Sequence, residues 1–246
     1  MLTVEDIREH FALEFDNQNF HVDRSGCDML EYIGASFIAN QDAIFGEVNR
    51  DYVNREIDWY KSQSTNIFDI KGETPNAWIC TANDYGEINS NYGHLIYGEK
   101  FFSQYTNAVN ELSKNPNSRR AQMIYTRPSI WVEAVENNKN DFICTNAVSY
   151  YIRDDKVHAV VQMRSNDVIF GYRNDLAWQQ YVLNQVTEYV SVAKNIAYDV
   201  GDIHWQVMNL HIYGRHFYLV DHFLRTHETH ITKSQYKELY PESRYA

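Results

Sequence analysis

The sequence predicts an α+β layer fold in a single domain of residues 1–246, because both helical and strand-like periodicities occur in it. Side chains recur at helical spacing in residues 47–62 and 174–193, whereas residues 142–152 alternate as in a strand. A length of 246 residues with 44% hydrophobic content is enough for one sizeable core.

Two amphipathic helices follow from the spacing. In the first, Tyr52, Glu56 and Tyr60 recur every four residues and share one helical face. Glu56 on that aromatic face is either a boundary residue with its carboxylate in water, or a buried acid whose pKa is raised and suited to proton transfer. The second helix carries an apolar stripe at Val182, Val186, Val190 and Ala193.

Strands are predicted in the second half of the chain. Residues 154–156 form a turn between the strand at 142–152 and a returning strand at 157–164, which is a hairpin pattern. A further strand over 203–213 would point Asn209, His211 and Tyr213 the same way. In the first hairpin strand, alternation predicts one face for Phe142, Cys144, Asn146, Val148 and Tyr150.

The formal net charge of −11 excludes a general attraction for nucleic acid. An anion would therefore be bound by a local arginine cluster, since guanidinium groups match phosphate oxygens in a two-pronged geometry. Each such cluster is alternatively a solvated loop end. The candidates are Arg24, the pair Arg119-Arg120, and Arg164 with Ser165.

Three cysteines without a C-x-x-C pair argue against a disulfide framework and against a metal site, and they favour a cytoplasmic protein. No signal peptide or apolar run of membrane-spanning length is present, so no membrane association is expected. Cys144 is either a small buried apolar residue or, with a positive charge such as Arg164 near it, a thiolate nucleophile.

Seven segments follow one another along the chain: Asp23-Arg-Ser-Gly, Arg55-Glu-Ile-Asp-Trp-Tyr, Asn91-Tyr-Gly, Ser118-Arg-Arg, Cys144, Arg164-Ser-Asn-Asp and His211-Ile-Tyr. In this order they resemble the thymidylate synthase family. The wording of residues 116–120, 124–128, 163–168 and 215–222 resembles, within that family, the deoxycytidylate hydroxymethylase branch of phages, and this resemblance extends over nearly the whole chain.

This resemblance implies a thymidylate synthase-like fold, with a mixed sheet covered by helices and a homodimer packed through the sheets. It implies that dCMP, 5,10-methylenetetrahydrofolate and water give 5-hydroxymethyl-dCMP and tetrahydrofolate, without a metal. Cys144 would add to C6 of the ring, and Glu56 and Tyr92 would organise water and proton transfer. The resemblance implies that the phosphate contacts Arg24, Arg119, Arg120, Arg164 and Ser165. It implies that the ribose contacts His211 and Tyr213, and that the folate contacts Asp167 and Trp78. Arg119 and Arg120 would reach across from the second subunit.

Two departures from the synthase pattern have consequences. Thr145 follows Cys144 where synthases have His, and Asp175 stands where they carry an asparagine that reads uracil. Cytosine offers N3 as an acceptor and N4–H2 as a donor. A carboxyl group can accept from N4–H2 and share a proton with N3, so Asp175 in a closed pocket favours cytosine. Asp175 is alternatively an ordinary residue at a helix start.

Several functions remain open on these residues. Within the family, a dUMP- or CMP-specific hydroxymethylase and a divergent thymidylate synthase are alternatives, and Asp175 counts against the uracil enzymes. Outside catalysis, the chain is alternatively a nucleotide-binding subunit of a nucleotide-synthesis assembly. Membership of such an assembly is also compatible with catalysis.

Overall fold

A computed structural model describes residues 1–23 and 26–246. The strands are β1 (Leu2–Thr3), β2 (His21–Val22), β3 (Asp28–Ile38), β4 (Gln122–Ile124), β5 (Thr145–Arg153), β6 (Lys156–Met163), β7 (Asn166–Asp167) and β8 (Asp199–Tyr213). The α-helices are α1 (Val4–Asp16), α2 (Arg50–Ser62), α3 (Asn76–Ile79), α4 (Tyr92–Tyr97), α5 (Gln104–Lys114), α6 (Ile130–Glu133), α7 (Gly171–Lys194), α8 (Phe217–Thr226) and α9 (Lys233–Leu239).

Contacts between residues divide the chain into two compact units. The single-domain expectation stays a prediction. Unit 1 comprises Met1–Val48, Arg164–Ala177 and Ile203–Ala246, and unit 2 comprises Asn49–Met163 and Trp178–Asp202. Among the helices of the described residues, none is both long enough and apolar enough to cross a membrane.

Unit 1 contains a mixed sheet. Strand β3 pairs parallel with β1 and antiparallel with β2 and β8, and β7 pairs parallel with β8. Helix α1 packs on β3 and on α8. Its buried face brings Val4, Ile7 and Phe11 into the core, each with 0% of its surface exposed. The register of β3 against β8 places Glu31 opposite His211, which matters for the site below.

Unit 2 contains the antiparallel strands β4, β5 and β6. Asp154 and Asp155 both adopt positive φ, of 50° and 56°, as the two central residues of a tight hairpin turn between β5 and β6. The predicted hairpin is therefore confirmed. Helices α2 and α4 pack together, and α5 packs on β4 and β5.

The predicted helices are confirmed with different ends. Helix α2 begins at Arg50 rather than at 47, because the Asn49 side chain caps it by accepting from the Tyr52 amide. Helix α7 begins at Gly171, three residues before the predicted start. Its valine stripe is buried, but Ala193 is exposed, so the stripe ends one turn earlier than the spacing predicted.

Candidate active site

Glu56 is buried on α2, with 5% of its surface exposed. The indole Nε1 of Trp78 donates to Glu56 Oε1 at 2.9 Å, and the Tyr52 hydroxyl donates to the same oxygen. Burial raises the pKa of Glu56 above its ordinary value, and the bonds from Tyr52 and Trp78 oppose that rise. Of the two interpretations of Glu56, the buried acid is confirmed, and such a group is suited to proton transfer.

Asn91 fixes the start of α4 and is fully buried. Its Oδ1 accepts from the amide of His94 at 2.8 Å, which caps the helix. Its Nδ2 donates to the carbonyl oxygens of Trp59 and Ser64 at 3.1 and 2.7 Å. One side chain therefore ties the first residue of α4, Tyr92, to the end of α2.

Gly93 allows α4 to approach α2 very closely. A Cβ atom at this position would lie 1.8 Å from the carbonyl oxygen of Tyr60, which no side chain can tolerate. The approach stacks the rings of Tyr92 and Tyr60 with centroids 5.3 Å apart, and Tyr125 meets Tyr92 edge-on at 5.2 Å. Tyr92 is thus held in an aromatic cluster with 4% of its surface exposed.

Cys144 lies immediately before β5, not within a strand over 142–152 as the alternation predicted. A register irregularity between Thr145 and Ala147 interrupts the pairing with β6, so side chains on either side of it do not keep one alternating pattern. The Cys144 thiol is half-buried, 3.8 Å from the carbonyl oxygen of Phe142. Its half-buried position leaves the thiol partly accessible, which is compatible with a nucleophile, and the choice between the two roles of Cys144 stays a prediction.

Asp141 ties the segment before Cys144 to the segment before Tyr92. Its carboxylate accepts from the Asn89 amide at 2.5 Å, the Ser90 amide at 2.8 Å and the Ser90 hydroxyl at 2.5 Å. Asp141 is 5% exposed, and burial raises its pKa while the three donors oppose the rise. Because the donors are buried too, removing the carboxylate would leave them without their partner.

Arg119 and Arg120 are exposed at the end of a turn that follows α5. The Arg120 Nη2 lies 3.1 Å from Glu111 Oε1, and the hydroxyl of Ser118 donates to the same oxygen at 2.6 Å. The side chain of Arg120 is 80% exposed, so this ion pair contributes little to stability. Arg119 and Arg120 are therefore both accessible to an anion or to a partner.

In unit 1, Asp175 is the fifth residue of α7, just after its first turn. Asn166 Nδ2 donates to Asp175 Oδ2 at 2.8 Å, and Trp205 Nε1 lies 3.3 Å from Asn166 Oδ1. Asn166 and Trp205 are both buried, with 3% and 0% exposure. Asp175 thus makes a specific, part-buried contact near the start of α7, and its role in base reading stays a prediction.

Asp167 shapes the turn that leads into α7. Its Oδ1 accepts from the Ile169 amide at 3.2 Å and its Oδ2 from the Phe170 amide at 3.0 Å. Strand β7 places Asp167 beside His211 in the register of β8. Phe170, at the end of this turn, exposes 47% of its surface.

A relay of hydrogen bonds fixes the proton on His211. The Glu31 carboxylate can only accept, and it accepts from Asn209 Nδ2 at 2.6 Å. Asn209 Oδ1 therefore faces His211 Nδ1 at 3.1 Å and requires a proton there. Burial lowers the pKa of His211, with the Asp167 charge opposing, so the ring is neutral at pH 7 and its Nε2 is an acceptor. Tyr213 packs edge-on against the ring at 4.9 Å, which confirms their predicted common direction.

Arg164, Ser165 and Arg24 are the remaining candidate residues for the phosphate. Arg164 and Ser165 are half-buried, and the positive charge of Arg164 acts on His211 by lowering its pKa. Arg24 lies outside the described residues. Unit 2 thus brings Glu56 together with Trp78, and unit 1 brings Asp167, His211 and Tyr213 together.

Five polar residues of these clusters are missing from the predicted site. Tyr52 and Asn209 leave a weak signal, because each shares a predicted face with a candidate residue. Asn166 lies inside the R-S-N-D segment. Asp141 and Glu31 leave no signal in the sequence, because their partners Asn89, Ser90 and Asn209 are distant along the chain.

A reduced pterin is a ring system edged with N–H donors. In unit 1, Asp167 offers carboxylate oxygens for such donors, and the adjacent Phe170 is an exposed aromatic ring. In unit 2, Trp78 is a half-buried aromatic ring whose indole N–H donates to Glu56. The chemistry of each group suits a folate, and the roles of Asp167 and Trp78 as folate contacts stay predictions.

The sequence matches the family model described as thymidylate synthase over residues 21–241. The chain therefore belongs to the thymidylate synthase family. The crystal structure of thymidylate synthase from T4 phage superposes with a TM-score of 0.68 at 19% identity, over 84% of this chain and 76% of that one. That similarity confirms the predicted fold.

Three individual proteins are similar to this chain to different extents. Deoxycytidylate 5-hydroxymethyltransferase of Enterobacteria phage T6 is 50% identical over 237 residues, which is 96% of either chain. The enzyme of the same name from Enterobacteria phage T4 is 50% identical over 236 residues with the same coverage. Thymidylate synthase of Fusobacterium nucleatum is 30% identical over 166 residues, which is 66% of this chain and 56% of that protein.

Proposed function

We propose that this protein is a deoxycytidylate 5-hydroxymethyltransferase. The observation that carries the proposal is the 50% identity over 96% of the chain to phage enzymes of that name. The reaction transfers a one-carbon unit from 5,10-methylenetetrahydrofolate to C5 of dCMP, and the oxygen of water becomes the hydroxyl on that new carbon. The products are 5-hydroxymethyl-dCMP and tetrahydrofolate.

Cys144 is the proposed nucleophile. Its sulfur forms a bond to C6 of the pyrimidine, which makes C5 a carbon nucleophile. The half-buried position at the entrance of β5 supports this role. C5 would then take the one-carbon unit, and loss of the C5 proton would release tetrahydrofolate and leave an exocyclic methylene on the ring. Water would add to that methylene as the bond between sulfur and C6 breaks, which restores the ring and the thiolate.

Glu56 is the proposed proton-transfer group, and it also positions the water. A carboxylate with a raised pKa exchanges protons near neutral pH more readily than an exposed one. Trp78 and Tyr52 both donate to one oxygen, Oε1, which fixes the direction of the carboxylate. Tyr92 is proposed to assist proton transfer from its aromatic cluster.

Asp175 is the proposed reader of the base. One carboxyl oxygen accepts from N4–H2 of cytosine, and a proton is shared between the other oxygen and N3. Uracil presents the opposite pattern at both atoms and would leave buried polar groups unpaired.

The sugar and phosphate are assigned to the remaining polar residues. His211 would accept a hydrogen bond from a ribose hydroxyl through Nε2, and Tyr213 would bind the same sugar. Arg164 and Ser165 would hold the 5′-phosphate together with Arg24. Asp167 and Trp78 are the proposed folate contacts, and the bound folate supplies the one-carbon unit at the oxidation level of formaldehyde.

A homodimer packed through its sheets is part of the proposal, with Arg119 and Arg120 donated to the phosphate of the partner. Two observations support it: both arginines are exposed, and Ile33 on β3 and Met208 on β8 expose 68% and 51% of their surfaces. Because the similar enzymes come from phages, the activity is proposed to take place in the cytoplasm of an infected cell. Membership of a nucleotide-synthesis assembly would be compatible with it.

Mass analysis of the nucleotide after incubation tests the reaction. Purified protein is incubated with 5,10-methylenetetrahydrofolate and either dCMP, CMP or dUMP. A gain of one hydroxymethyl group on dCMP alone is expected. A methyl gain on dUMP would instead identify a divergent thymidylate synthase and would refute the role of Asp175.

A further inference from the structure

The side-chain amide of Asn166 has only one orientation that satisfies its neighbours. An indole N–H can donate but never accept, so the atom that faces Trp205 Nε1 at 3.3 Å is the amide oxygen. The amide NH2 therefore faces Asp175 and donates to Oδ2 at 2.8 Å. Trp205 thus determines which chemical group Asp175 meets.

Packing prevents this amide from turning to another arrangement. Asn166 and Trp205 expose 3% and 0% of their surfaces. Helix α7 begins at Gly171, and a Cβ there would lie 3.0 Å from Asn166 Nδ2 and 3.4 Å from Asp167 Cβ. Glycine at this position is what lets the start of α7 lie close against Asn166.

The donation from Asn166 favours an unprotonated oxygen at Oδ2 of Asp175. A hydroxyl oxygen is a poorer acceptor than a carboxylate oxygen, so a proton on Oδ2 would weaken the bond from Asn166. Oδ2 is therefore favoured as an acceptor.

We propose that Asn166, oriented by Trp205, is a positioning residue that determines base specificity by keeping Oδ2 of Asp175 an acceptor for the N4–H2 group of cytosine. The proposal rests on the proposed function, because it requires Asp175 to read the base. With uracil, the same oxygen would have to carry a proton toward O4. The amide of Asn166 disfavours that state, so it adds to the rejection of dUMP.

The test is the ratio of the dissociation constants of dUMP and dCMP, measured by calorimetry on the full-length protein. Asn166→Ala removes the donor, and the ratio is expected to fall by about tenfold. Trp205→Phe keeps the aromatic ring but releases the amide, so it should lower the ratio in the same direction by less. Asn174→Ala is the matched control, since it removes the asparagine that directly precedes Asp175 on α7 and should leave the ratio unchanged.

A pH profile separates positioning from a purely structural role. Loss of a donor to a carboxylate raises its pKa. The alkaline limb of dCMP binding, where the proton shared with N3 is lost, should therefore move to higher pH in Asn166→Ala. If Asn166→Ala weakened the binding of dCMP and dUMP equally and left the pH limb of dCMP binding in place, the proposal would be overturned. This holds even if the variant is less stable than wild type.

Asp175→Asn is measured in parallel to separate base reading by Asp175 from the positioning role of Asn166. If this variant shifts preference toward dUMP while the Asn166 and Trp205 variants leave the ratio unchanged, the inference about Asn166 alone is wrong. If Asp175→Asn leaves the ratio unchanged as well, base reading by Asp175 is wrong, and the inference falls with it.

Discussion

Glu56→Gln removes one buried negative charge without changing the volume of the side chain. The amide oxygen of glutamine can accept from Trp78 and Tyr52 as Oε1 does now. Turnover should fall by about 10²–10⁴-fold, because a neutral amide cannot transfer a proton. Stability at pH 7 should nevertheless rise.

The expected change in the stability of Glu56→Gln follows from two opposing effects. Hydrogen bonds to a charged acceptor contribute about 1.5–3 kcal/mol each, against about 0.5–1.5 for neutral ones, so two weakened bonds cost roughly 2–3 kcal/mol. Burying the charge costs several kcal/mol. The raised pKa of Glu56 shows that burial outweighs the bonds. We therefore expect the variant to be more stable by about 1–3 kcal/mol, or ~2–4 °C in melting temperature for each kcal/mol.

Thermal melts from pH 4 to pH 8 measure the effect. Because the pKa of Glu56 is raised in the folded state, its favourable contribution is complete below the unfolded pKa of about 4.5 and is lost as the pH rises through the folded value. The advantage of Glu56→Gln should therefore be absent at the acid end and grow with pH. A variant that is less stable than wild type at pH 7, by an amount independent of pH, would refute this account.

Four further substitutions test other parts of the site. Cys144→Ala should lower turnover by about 10⁴-fold with an unchanged melting temperature, and loss of a nucleotide adduct in mass spectra is the check. Asp141→Ala strands three buried donors, so urea unfolding should show a loss of about 3 kcal/mol or more. Asn209→Leu frees the ring of His211; kinetics should show KM for dCMP about tenfold higher, whereas an unchanged KM would contradict the relay. Gly93→Ala should prevent normal folding, as circular dichroism would reveal.

Local patterns predicted the elements well because they depend on neighbours in sequence. Positions four apart on α2 revealed the face that carries Glu56, and two aspartates before Lys156 marked the hairpin turn. Alternation failed at Cys144, because an irregularity in pairing is decided by the partner strand and not by the strand itself.

Side-chain partners were the part that the sequence left open. Asp141 meets Asn89 across 52 residues, and Trp205 meets Asn166 across 39. Such bonds form only after the chain has folded, and no short-range periodicity records them. The family resemblance supplied candidate residues for chemistry, but not the amides that orient them.

The close approach at Gly93 has a mechanical consequence. Since no free volume separates Gly93 from the Tyr60 carbonyl, the start of α4 and the end of α2 can only move as one piece. Tyr92 and Glu56 belong to those two helices, so a displacement of either would be transmitted to the other. Adjusting one of these groups by engineering would require redesigning the joint between the helices rather than a single side chain.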